Sequence, residues 1–121
     1  MAKTIDFSLT GYFKEDSVND IPILNAASKS IDLTTAYKKT SYSLAADATE
    51  TVDFDDIVNA KVAIVVVRTG KVNVNINSGD DDYPCASVIL LTADSDTGYI
   101  TALSITEAAS ATATVDVYIG G

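Results

Sequence analysis

The sequence predicts an all-β protein, an antiparallel β-sandwich of eight or nine strands with a jelly-roll-like or immunoglobulin-like arrangement. Three observations carry that expectation. Short segments alternate apolar and polar residues with a period of two, the mark of half-buried strands. The apolar content is mostly Val, Ile, Ala and Tyr, which suit a pleated surface, with one Met and no Trp. Turn residues punctuate the chain at roughly 10–15-residue intervals, as in sandwiches and barrels.

Taken in order, TIDFSLT alternates, with Ile5, Phe7 and Leu9 on one side and Asp6 and Ser8 on the other; Gly11 is expected to end it. KEDSVND reads as a polar loop. IPILN is a short extended piece that Pro22 confines to an edge or a strand start. SKSIDLTTAY and TSYSLAA read as two strands joined through Lys38 and Lys39. LAADATE has the Ala content for a short helical turn but is expected to turn the chain into the next strand, TVDF. Ala60–Thr69 and Lys71–Asn77 read as a hairpin about Gly70, a residue free to take positive φ. SGDDDYP is expected as a loop, ASVILLT as a strand and ADSDTG as a turn. YITALSIT and ATATVDVYI read as a last hairpin around EAASA, with Val115, Val117 and Ile119 inward. With 121 residues and no linker, one domain over 1–121 is expected, in which residues 1–27, less regular than the rest, can form an extended N-terminal arm.

Two strands break the rule that a two-layer sandwich buries one face only. Val62–Val67 is apolar at every position, as is Val88–Leu91, so each carries apolar side chains on both faces. Something must cover the second face: a segment of the same chain or a neighbouring subunit. Each such side chain buried contributes roughly 1.5–3 kcal/mol before association costs, and exposed it invites aggregation. A chain this short has little material to spare, which favours a subunit. Val65, Val67, Ile89 and Leu91 are the interface candidates.

Charge and composition exclude several functions. Net charge is −9, from 17 acidic and 8 basic residues. Such a surface repels phosphate backbones and anionic lipid, so neither nucleic acid nor membrane is an expected partner. The longest apolar run is the six residues Val62–Val67, against about 20 for a spanning helix. The start, MAKTIDFSLTGYF, has no apolar core of a leader peptide. Cys85 is the only cysteine, which rules out an intrachain disulfide and suits a small core residue.

Signs of chemistry are few. Without histidine there is no Ser-His-Asp or Cys-His arrangement, and the commonest metal ligand is missing. No phosphate-binding glycine loop or paired-cysteine motif is present. No catalytic residue and no cofactor are therefore expected. Acidic clusters occur at Asp53, Asp55 and Asp56, at Asp80–Asp82, and at Asp94 and Asp96. Asp94 and Asp96 with a nearby carbonyl could begin a calcium site, although DSDTG lacks a third carboxylate and consists of ordinary turn residues. Two carboxylates across a cleft can hydrolyse glycosides, but a short chain without Trp is a poor candidate. The ladder Asn73, Asn75, Asn77 is either the wet face of a strand or a source of amide hydrogen bonds to sugar.

The segments ETVDFDDIVNAKVAIVVVRTGKVNVNINSG, ASVILLT, ITALSIT and ATVDVYIGG, spanning residues 50–121, together resemble small virion structural proteins of tailed bacteriophages. Those are acidic, Thr- and Ser-rich β-sandwiches that end in a short hairpin near the C-terminus. They serve as capsid decoration (cement) proteins or as neck and tail components. The resemblance implies a non-enzymatic virion protein, made in the host cytoplasm, that forms a homo-oligomer and binds other virion proteins such as the major capsid protein. It assigns no site residue. The alternative function is a glycan- or calcium-binding β-sandwich module.

Overall fold

The computed structural model describes residues 3–15, 19–33, 36–93 and 98–121, giving for 3–32 the course of the strands. Ten strands run along it, and no helix occurs among the described residues. The chain divides into two compact units, Met1–Asp32 and Leu33–Gly121, where one domain over 1–121 was expected with 1–27 set apart as an arm. The first unit is a two-stranded sheet of β1 (Lys3–Glu15) and β2 (Asn19–Leu33). Gly11 does not end β1, which continues to Glu15.

The second unit is the sandwich. Its strands are β3 (Tyr37–Leu44), β4 (Thr49–Thr51), β5 (Val62–Thr69), β6 (Val72–Ile76), β7 (Asp82–Cys85), β8 (Val88–Thr92), β9 (Leu103–Glu107) and β10 (Ala113–Gly120). They form two four-stranded sheets, in the orders β3-β10-β5-β8 and β4-β9-β6-β7, and within both sheets neighbouring strands pair antiparallel. The pairings are nested: first strand with last, second with second-last, β5 with β8, β6 with β7. That nesting is the jelly roll rather than the immunoglobulin sandwich.

Both expected hairpins are overturned by this topology. β5 and β6 lie in different sheets, as do β9 and β10. Gly70 turns the chain from one layer to the other, and Ala108–Thr112 turns it back beside that corner. The two corners touch: Ala108 N donates to Lys71 O at 2.9 Å. Gly70 has φ 83°, and a Cβ there would lie 2.7 Å from the Thr112 carbonyl oxygen. Lys38 and Lys39 sit inside β3 instead of joining two strands. The end of the expected loop SGDDDYP instead enters the edge strand β7, Asp82–Cys85; Pro84 is tolerated there because an edge has one unpaired side.

Between the sheets, Ala63, Val65, Val67, Ala113, Val115, Val117 and Ile119 face Val72, Val74, Leu103 and Ile105 in one buried cluster. Loop residues Val52, Phe54, Ile57, Ala60 and Ile100 close it at one side. Cys85 is part of this core.

Candidate functional site

The sandwich has two outer faces of opposite character. On sheet β4-β9-β6-β7 the register sets Thr49 beside Thr106, Thr51 beside Ser104, Asn73 between Pro84 and Thr106, and Asn75 between Asp82 and Ser104. Thr49 and Thr106 share a hydroxyl hydrogen bond of 2.8 Å. Asn75 Nδ2 donates to Gly79 O at 2.8 Å and Asp82 Oδ1 at 3.0 Å. Asn77 Oδ1 accepts from Thr101 N at 2.7 Å, and its Nδ2 donates to Tyr99 O at 3.0 Å. Asn75 and Asn77 thus hold loops, and apart from Pro84 the paired residues of this face are polar.

The outer face of β3-β10-β5-β8 is a grid of three rows running from β3 to β8. The rows are Ser41–Asp116–Val66–Val88, Lys39–Tyr118–Ile64–Leu90 and Tyr37–Gly120–Val62–Thr92. Polarity falls along the first two. At the β3 side, Ser41 Oγ donates to Asp116 Oδ1 at 2.6 Å and Arg68 Nε to Asp116 Oδ2 at 2.7 Å. The Ser41 hydroxyl first, then Arg68, hold the Asp116 carboxyl below the usual aspartate range. Lys39 Nζ lies 5.6 Å from the Tyr118 ring centre. At the β8 side these two rows end in Val66, Ile64, Val88 and Leu90. Val88 is 53% exposed; the other three are half-buried.

This grid corrects two of the four interface candidates, Val65 and Val67. Val65 and Val67 face the sandwich core, at 0% and 9% exposure, and Ile89 and Leu91 pack against it. The surplus apolar surface lies on the other parity of the same strands. Part of it is covered within the sandwich unit. Val62 is fully buried, and Leu33 lies over its register neighbour Gly120, where an added Cβ would meet Leu33 Cδ1 at 2.9 Å.

The acidic cluster Asp53, Asp55 and Asp56 is built into a turn. Asp53 Oδ1 accepts from Asp55 N at 2.9 Å, and Lys38 Nζ lies 3.5 Å from Asp53 and 3.8 Å from Asp55. The Asp55 N–H first, with Lys38 behind it, lowers the Asp53 pKa. Asp94 and Asp96 lie outside the described residues. Among the described residues, no group of three or more His, Cys, Asp or Glu side chains could hold a metal ion.

One important side chain escaped the sequence reading. Glu107 is 2% exposed on the inward parity of β9, after Leu103 and Ile105. Its Oε1 accepts from Asp47 N at 2.9 Å and Ala111 N at 3.2 Å, and its Oε2 from Ala109 N at 2.7 Å. These N–H groups, that of Asp47 foremost, outweigh desolvation and hold its pKa down. A charge in the apolar parity of an alternating strand was the available signal. Its role is to lock two loops, since the backbone donors around it occupy both its oxygens.

The protein is thus an eight-stranded jelly roll preceded by a two-stranded unit, with one polar outer face and one face graded from charged to apolar. No protein-family model matches the sequence, and no curated protein matches it. Among solved structures it is similar to unsaturated-fatty-acid-bound wild-type ToxT from Vibrio cholerae strain SCE256, at TM-score 0.47 and 18% identity over 74% of this chain and 31% of that one. ToxT from Vibrio cholerae O395 bound to (E)-4-(8-methylnaphthalen-1-yl)but-3-enoic acid gives 0.48 and 17% over 72% and 31%. This chain therefore spans about a third of the length of those proteins. Likenesses of this size carry no functional argument.

Proposed function

We propose that this chain is a non-enzymatic structural protein of a tailed-phage virion, a capsid decoration protein that associates with itself and docks on other virion proteins, the major capsid protein first. The observation that carries the reading is the apolar end of the graded face, Val88 and Leu90 on the edge strand β8 and Ile64 and Val66 on its neighbour β5. Apolar surface so placed is suited to packing against protein, and burying it stabilises an assembly. The net charge of −9 keeps particles dispersed and disfavours nucleic acid and anionic membranes as partners. The buried carboxylates Glu107 and Asp116 are engaged by hydrogen-bond donors of the fold, and a sequence without histidine lacks the commonest general base. The likeness of residues 50–121 to virion proteins supplies the particle. No cofactor enters the role.

The test is co-sedimentation with purified capsids of the phage that encodes the chain, stripped of accessory proteins. Saturable pelleting is expected, weakened at least tenfold in Val88→Asp. Failure of the folded wild-type protein to pellet at any concentration overturns the reading.

A further inference from the structure

We infer that the sandwich pairs with a second copy of itself through the free edge of β8, antiparallel about a two-fold axis at Leu90, so that two four-stranded sheets become one of eight strands. This deepens the self-association in the proposed function and rests on that part of it alone.

The four edge strands of the sandwich differ in how they are guarded. Exposed edges invite pairing with other chains, and proteins blunt them with Lys, Pro, acidic residues or shortness. β3 carries Lys38 and Lys39; β4 has three residues, one of them Glu50; β7 carries Asp82 and Pro84. β8, Val-Ile-Leu-Leu-Thr, has none of these devices. Its register with β5 runs from Val62–Thr92 to Val66–Val88 without a bulge. The run Cys85–Ala93 is uncharged in a chain of net charge −9.

The backbone specifies the pairing. Val67 N donates to Ser87 O and Ala93 N to Lys61 O, each at 2.7 Å, so the odd-numbered residues of β8 are the ones bonded to β5. Alternation then turns the N–H and C=O groups of Val88, Leu90 and Thr92 toward the free edge. Among the described residues no strand pairs there. A second β8, antiparallel and centred on Leu90, sets Leu90 against Leu90 and Val88 against Thr92, and satisfies all of these groups.

Side chains agree with that register. Ile89 meets Leu91 of the other copy on the core side, and Leu90 meets Leu90 on the outer face. The apolar strip Ile64, Val66, Val88, Leu90 then continues across the axis as one surface. An identical segment satisfies the edge in this way because a two-fold interface is self-complementary. Two copies of a strongly acidic chain must also meet where neither carries charge, and the β8 edge offers that.

Light scattering and a proline scan test this. Wild type is expected at twice 12.7 kDa or an even multiple of it, and Leu90→Pro at 12.7 kDa with its β-sheet circular dichroism retained. Proline at this position removes an N–H that faces away from β5, so it blocks the edge without breaking a β5 bond. Leu90→Lys provides a second edge-blocking variant and should give the same mass. In a Cys85→Ser background, Leu90→Cys should oxidise to a covalent dimer, because the paired Cα atoms would be about 5.5 Å apart. Ser43→Cys on the β3 edge should not. A wild type that stays monomeric up to its solubility limit overturns the inference, as does a folded Leu90→Pro that keeps the wild-type mass. A monomer whose capsid pelleting is abolished by Leu90→Pro assigns the edge to another protein and overturns it too. A β8 dimer that fails to pellet with capsids sinks the virion role and leaves this pairing intact.

Discussion

Glu107 shows how one side chain can fix two loops. Its carboxylate gathers the N–H groups of Asp47, Ala109 and Ala111, donors that belong to two separate turns. Its pKa lies below the ordinary glutamate value of 4.5. A folded-state pKa lowered in this way adds stability that is full above the unfolded value and is lost as pH falls through the folded one. Glu107→Gln, which replaces one acceptor oxygen by a donor NH2, should therefore lower the melting temperature by several degrees at pH 7. The gap between variant and wild type should narrow as pH drops below 4.5. A gap of constant size from pH 7 to pH 3, measured by thermal circular dichroism, would contradict the charge-based account. The sequence held the clue in its parity, Leu103, Ile105, Glu107, but alternation alone cannot name the backbone donors that make a buried carboxylate tolerable.

At the scale of elements, the corners decide the topology. Gly70 is needed for its positive φ and for its closeness to the chain at Thr112 and Ala113. Gly70→Ala should cost at least about 1–2 kcal/mol from the left-handed backbone alone, and more from the 2.7 Å approach to the Thr112 carbonyl. The urea midpoint should fall with its slope unchanged; an unchanged midpoint would mean that the corner is free to relax. The turn chemistry around Gly70 was legible, as was the alternation of β6 and β10. Both are compatible with a hairpin in one sheet and with a corner between two, so the expected hairpins were missed. β7 was missed because Asp and Pro mark loops as well as edge strands. β5 and β8 were legible as two-faced, yet which face is inner was not. Val65 and Val67 lie in the core because their partners across β10 are Val117 and Val115, a register fixed by packing.

For the whole molecule, charge and grease oppose one another. Each copy carries −9, so the proposed association through an uncharged edge would proceed against long-range repulsion. That repulsion reaches about 30 Å at 0.01 M salt and about 8 Å at 0.15 M. The dimer dissociation constant, followed by sedimentation equilibrium, should fall as NaCl rises over that range. Weakening with salt would instead mark an interface held by ion pairs and would remove the case for an apolar one. The other sandwich edges carry Lys, Glu, Asp and Pro, devices that discourage strand pairing and would confine the proposed dimer to the β8 edge.

What the sequence determined by itself was local: where the chain extends, where it turns, and that two strands carry apolar side chains on both sides. Those follow from periodicity and residue chemistry over a few neighbours. The tertiary structure alone decided which sheet each strand joins, which parity faces the core, and that Glu107 would meet Asp47, 60 residues away in sequence. These depend on pairings between distant segments, and a strand equally apolar on its two faces fits the core with either parity until its neighbours choose.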